Sequence, residues 1–109
     1  MQMNLWEIDG QIVKEDDRYV VKDNTLLKNL IVSSTTLHSG KSTSGHKHEG
    51  QEEVYMFLKG HGTMELDDKE LHVIEGDCVL IEDGVFHRVH NNGSGDLYFV
   101  CVFDGGRNH

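Results

Sequence analysis

Short apolar runs separated by turn-forming residues dominate the chain. Leu30-Ile31-Val32 leads into Ser33-Ser34-Thr35-Thr36-Leu37, and Val54 to Leu58 is a continuous apolar run closed by Lys59-Gly60. Val79-Leu80-Ile81 and Leu97 to Phe103 repeat the type, and Phe86 to His90 completes the set of strands. All are rich in the β-branched and aromatic residues that suit a pleated, half-buried surface. Two hairpins are predicted. One joins Trp6-Glu7-Ile8 to Gln11-Ile12-Val13 through Asp9-Gly10, a two-residue turn signal. The other joins Thr63-Met64-Glu65-Leu66 to Leu71-His72-Val73-Ile74 across Asp67 to Glu70. Tyr19-Val20-Val21 adds a further strand after the acidic stretch Glu15-Asp16-Asp17. No window of helical length carries a 3.6-residue apolar period, and the nearest candidate, Leu26 to Leu30, is short. Roughly eight to eleven close-spaced strands predict an all-β sandwich or barrel.

The 109 residues support one domain, 1–109, with no linker or repeat. Ten basic against nineteen acidic side chains give a formal charge of −9. That balance argues against nucleic acid and against an anionic membrane as partners. No apolar run approaches the roughly 18 residues of a membrane span. The first residues lack a basic start and an apolar stretch, so no secretory leader is expected. Cys78 and Cys101 sit inside apolar runs and read as buried filler of a reducing compartment, the cytoplasm. Proline is absent, so Gly, Asn and Asp must make the turns.

Eight histidines are dispersed through the chain. His46 and His48 are one residue apart, and in a strand such positions share a face. Glu53 follows at the start of the next strand, and His87 comes from a distant one. Taken alone, a His-x-His pair on a strand is a common surface feature. Three imidazoles and a carboxylate converging in a barrel would instead make a mixed N/O site. Such a site suits one divalent transition metal, Fe, Mn, Ni, Co or Zn, without choosing among them.

The glycines around these residues change the picture. Gly40, His46, His48, Glu53 and Gly60 form one spaced segment; Gly76, Gly84, His87 and Asn91 form a second. Together they resemble the two signature motifs of the cupins, at about 40–60 and 76–91. The second departs from the family pattern at Glu82, where proline is usual, which concerns the shape of a turn and not a ligand. The resemblance implies a jelly-roll barrel, a double-stranded β-helix of six or eight strands. It implies one divalent metal held by His46, His48, Glu53 and His87. Open coordination positions would then admit substrate or water.

From Glu53, alternation puts Tyr55 and Phe57 on the inward face and turns Glu52 to solvent. Tyr55 is a core side chain or, with Glu53, a catalytic one. His90 is expected to face away from His87, His61 to lie on a turn, His72 on the outer face, His38 near a barrel end and His109 in the tail. Lys47 and Arg88 flank ligand histidines and so point outward, which leaves no obvious inward cation. Three functions follow from the resemblance. The first is a metal-dependent isomerase, epimerase or lyase acting on a small polar, carbohydrate-like substrate. The local pattern Gly45-His46-Lys47-His48 with Gly60-His61-Gly62 is similar to that of cupin-type phosphoglucose isomerases. The second is a non-haem iron dioxygenase, and the third a non-catalytic small-molecule binding or sensing module. A homodimer is expected, with the predicted hairpin over residues 5–14 and its Trp6, Ile8 and Ile12 packed on a second copy.

Overall fold

A computed structural model describes residues 1–47 and 49–105. Its nine strands are β1 (Gln11–Glu15), β2 (Tyr19–Asn24), β3 (Leu30–Leu37), β4 (Glu53–Lys59), β5 (His61–Leu66), β6 (Lys69–Ile74), β7 (Cys78–Ile81), β8 (His87–Asn91) and β9 (Leu97–Asp104). Every pairing is antiparallel. A six-stranded sheet runs β1-β2-β3-β9-β4-β7, and a three-stranded sheet runs β6-β5-β8. The segment from Lys41 to His46 lies along β8 and widens the smaller sheet. Thr43 N–H donates to Val89 O at 2.9 Å, and Asn91 N–H donates to Lys41 O at 2.9 Å.

The alternation in the sequence becomes the two faces of each strand. Ile31, Ser33, Thr35 and Leu37 of β3 are buried, as are Tyr55 and Phe57 of β4 and Leu97, Phe99, Cys101 and Phe103 of β9. All of these except Ser33 and Thr35 form one core between the sheets with Met64, Val73 and Val89 from the smaller sheet. Each large apolar side chain buried there contributes about 1.5–3 kcal/mol before chain entropy is set against it. Phe99 stacks on Tyr55 with centroids 5.3 Å apart and touches Phe57 at the same distance, tying β9 to β4.

The β5–β6 hairpin forms as predicted but turns more tightly. Leu66 pairs with Lys69, so only Asp67 and Asp68 make the loop, with Asp67 at φ +53°. Aspartate tolerates that left-handed conformation better than most residues. The predicted hairpin through Asp9-Gly10 does not form. β1 instead turns back on β2 through Asp16, Asp17 and Arg18. Here the Asp16 carboxylate accepts from Arg18 N–H at 2.8 Å and pairs with its guanidinium at 2.7 Å. That partner lowers the Asp16 carboxyl to about 2. Ile8, expected on the surface, is 1 % exposed, while Trp6 and Ile12 are exposed. Leu26 to Leu30 contains no helix, and Leu26 and Leu27 face solvent.

Cys101 is buried, but Cys78 is exposed and is no filler. β7 is an edge strand, and its buried pair is Val79 and Ile81. The apolar run around Cys78 therefore has an outward half.

Candidate metal centre in the barrel

His46 lies outside any strand, contrary to expectation, and is placed by a single bridge to β8. His46 N–H donates to His87 O at 2.9 Å, and His87 N–H donates to His46 O at 2.8 Å. Two residues that exchange both bonds stand directly opposite and carry their side chains on the same face. This brings the imidazoles together, with ring centroids 6.1 Å apart. Gly45 prepares the approach at φ +84°, where a Cβ would stand 2.6 Å from the Phe86 ring. Only glycine accepts both constraints without strain.

Glu53 opens β4 on its inward face and is 7 % exposed. Its carboxylate Oε1 lies 3.5 Å from Nε2 of His87, which is 3 % exposed. Nitrogen and carboxylate ligands each stand about 2.0–2.2 Å from a shared ion, so neighbouring donors fall roughly 3–3.5 Å apart. The observed spacing fits that requirement. The His87 Nδ1 faces Val85 O at 3.2 Å, the kind of outer contact that leaves Nε2 to the site. The Tyr55 ring meets the His87 ring edge-on at 5.6 Å.

Two loops hold this arrangement. Ile81 is followed by a turn in which Val85 N–H donates to Glu82 O at 3.2 Å and Gly84 takes φ +78°. The turn forms with Glu82 in place of proline because Gly84 supplies the positive φ at its third position. Asp83 then reaches across and accepts from Gly50 N–H at 2.8 Å, joining the loop before Glu53 to the loop before His87.

His46, Glu53, Tyr55 and His87 line one cavity of about 50 Å³. His48 and His109 lie outside the described residues. Among the described residues no three His, Cys, Asp or Glu side chains form a complete ion-holding group. The other histidines stand elsewhere. His90 Nδ1 meets Ser42 Oγ at 2.6 Å and its Nε2 meets the Glu65 carboxylate. His38 pairs with Asp96 at 3.2 Å, and the His61 and His72 rings lie 5.9 Å apart on the small sheet. Lys47 is exposed, and Arg88 Nε donates to Thr43 O at 2.8 Å.

Further residues that line the cavity and were not expected there include Lys14, Ser33, Thr35, Thr43, Gln51 and Cys101. Alternation along β3 and β9 would have found Ser33, Thr35 and Cys101, because they share the inward parity of Leu37 and Phe103. Lys14 corrects the expectation that no cation faces inward, and alternation could not have found it.

The model of the cupin domain matches residues 33–103. The chain belongs to the cupin family. Among its relatives is an oxalate-binding protein of Thermotoga maritima, 36 % identical over 66 residues. That match takes in 61 % of this chain and 54 % of the relative, just over half its length. A predicted oxalate decarboxylase of the same organism superposes with a TM-score of 0.76 at 27 % identity, covering 95 % of this cupin and 98 % of that chain. A Klebsiella pneumoniae protein with a double-stranded β-helix domain superposes with a TM-score of 0.83 at 16 % identity, over 99 % and 92 % of the two chains. The last likeness concerns the fold alone, and with the all-β antiparallel topology it makes this cupin a jelly roll.

Proposed function

We propose that this cupin holds one divalent transition metal with His46, His48, Glu53 and His87, and that it acts there on a small polar molecule. The observation that carries the reading is the buried approach of Glu53 Oε1 to His87 Nε2 at 3.5 Å, with His46 bridged to His87. An ion between such donors supplies Lewis-acid polarisation of a substrate oxygen. The chain supplies the rest. Glu53 offsets the positive charge, and Phe99 and Phe103 in the cavity lining keep water low. Tyr55, in the same lining, would hold or move a proton at a substrate oxygen in this reading. The reaction class this supports is isomerase or lyase chemistry.

A second reading, binding without turnover, is favoured by the name of the relative at 36 % identity, an oxalate-binding protein. One experiment separates these. Untagged protein is analysed for metal content and then assayed with small polyols, hydroxy acids and oxalate, with oxygen uptake followed in parallel. One ion per chain with turnover and no oxygen uptake supports the first reading. Oxygen uptake would move the chemistry to an iron dioxygenase. One ion with binding and no turnover supports the second. An ion content near zero, with no rise in thermal stability on adding metal, overturns the site.

We also assign the exposed face around Trp6 to a second copy of the chain. Trp6 stacks on Tyr98 at 6.1 Å, and both line an outer groove with Ile12 and Val20. Glu7, Lys22, Lys59 and Asp96 share the groove, and the exposed Trp6 and Ile12 within it are the apolar surface a second copy would cover.

A further inference from the structure

We infer that Lys14 is the specificity-determining cation of the barrel and that the ligand it selects is a small carboxylate. The inference rests on the metal-site reading above and narrows it.

Gln11-Ile12-Val13-Lys14-Glu15 read as a regular strand puts Ile12 and Lys14 on one face. The pairing with β2 shows otherwise. Ile12 stands opposite Lys22 and Lys14 opposite Val21, so Val13 is an extra residue, a β-bulge. Val21 is buried in the core and Lys22 faces outward to Glu7. Directly opposite residues share a face, so the bulge sends Ile12 out and Lys14 in. Ile12 lines the outer groove, and Lys14 lines the same cavity as His46, Glu53 and His87. Bulges concentrate where a strand must re-aim a side chain near a site.

Charge arithmetic gives the ligand class. Of the charged side chains lining the cavity, Lys14 brings +1 and Glu53 brings −1. A divalent ion brings +2, so the described lining is net +2, and net +1 once the buried Asp23 carboxylate on the same inward face is counted. Burying that charge is costly unless an anion offsets it. A mono- or dicarboxylate does so, with one end toward the ion and its charge shared with the ammonium. A cavity of about 50 Å³ suits a ligand of a few heavy atoms. Ser33, Thr35 and Gln51 add neutral polar groups to the same lining.

A structural role is the competing explanation. Asp23 is buried on the same inward face of β2, two residues beyond Val21, and Lys14 could serve that carboxylate or Glu53. The test separates these roles. Metal-loaded wild type and Lys14→Met are titrated by calorimetry with oxalate, glycolate and glycolamide, and ion content is measured before and after. Glycolate and glycolamide differ little except in charge. Lys14→Met is expected to keep its ion, to bind oxalate and glycolate on the order of 10- to 100-fold more weakly, and to bind glycolamide as before. Lys14→Arg should recover most of the loss. Lys22→Met, the outward lysine next to Val21, should leave all three affinities unchanged. Lys14→Gln, closer in size, serves where Lys14→Met does not fold.

Three results overturn the inference while leaving the metal site standing. One is equal oxalate and glycolate affinity in the variant. Another is equal loss for glycolate and glycolamide. The third is a metal-loaded wild type that binds neither anion. Loss of the ion in Lys14→Met also overturns it, because Lys14 would then be supporting Glu53. A wild type that takes up no ion fails the metal reading, and the same titrations on that protein still show whether Lys14 binds the anions.

Discussion

Asn91→Ala should cost this cupin about 3 kcal/mol, through hydrogen bonds to Leu37, Gly93 and Gly95. Asn91 ends β8 and is 3 % exposed. Its Nδ2 donates to Leu37 O at 2.8 Å and to Gly95 O at 2.9 Å, and its Oδ1 accepts from Gly93 N–H at 2.9 Å. One side chain thus clamps the end of β3 and the loop into β9. Three hydrogen bonds at about 1 kcal/mol each are lost on truncation. The buried carbonyl of Leu37 also loses this donor. Domains of this size have total stabilities of about 5–15 kcal/mol, so the loss is a large share. At roughly 4–8 °C per kcal/mol, the melting temperature should fall by about 12–24 °C. Asn91→Asp is the sharper probe, because it keeps the shape and replaces two donors with a carboxylate oxygen facing two carbonyls. That environment disfavours the charged form, so the folded-state pKa of the new carboxyl lies above its unfolded value. Its penalty is therefore small in acid and grows as pH rises through the carboxylate range. Urea unfolding of wild type, Asn91→Ala and Asn91→Asp at pH 7 and pH 4 measures this. The gap between wild type and Asn91→Asp should be wider at pH 7. An Asn91→Asp protein within 1 kcal/mol of wild type at pH 7, or a gap that widens in acid, refutes the reasoning.

Other outcomes follow from the same geometry. Ellman's reagent should titrate Cys78 rapidly in the native protein and Cys101 only after unfolding, since β7 exposes the first and β9 buries the second; two equal fast phases would contradict the placement. His87→Ala should abolish metal uptake while near-native circular dichroism persists, because Val89 keeps β8 in the core; full metal occupancy would instead direct attention to His90. Glu53→Gln should retain more metal than His87→Ala but lose a larger share of any turnover, read as ion content and rate side by side. Ile12→Asp in the outer groove should shift light-scattering mass from twice to once the 12.4 kDa chain, and an unchanged mass would remove that groove from the interface.

Periodicity and motif spacing were enough to specify much of this protein. Alternation in β4 made Tyr55 and Phe57 legible as inward residues, and the same period carries Ser33, Thr35 and Cys101 inward in β3 and β9, because a strand has a period of two whatever it packs against. The spaced glycines, histidines and Glu53 were enough to name the cupin family and its jelly roll. Local signals failed where a neighbouring strand had to decide. Asp9-Gly10 has hairpin chemistry, yet Asp16 and Arg18 make the turn, and β1 finds its partner in β2. Ile8 became core and Cys78 surface because burial depends on what lies across from a residue, not on the run that contains it. His46 reaches His87 through an isolated bridge to β8 between residues forty-one positions apart, which no local period encodes. Lys14 is the clearest case. Strict alternation sends it outward with Ile12, and only the register against β2, with Val13 bulged out of the ladder, brings Lys14 into the cavity lining. Register is a property of two strands together, so the charge balance of the site was settled by tertiary pairing.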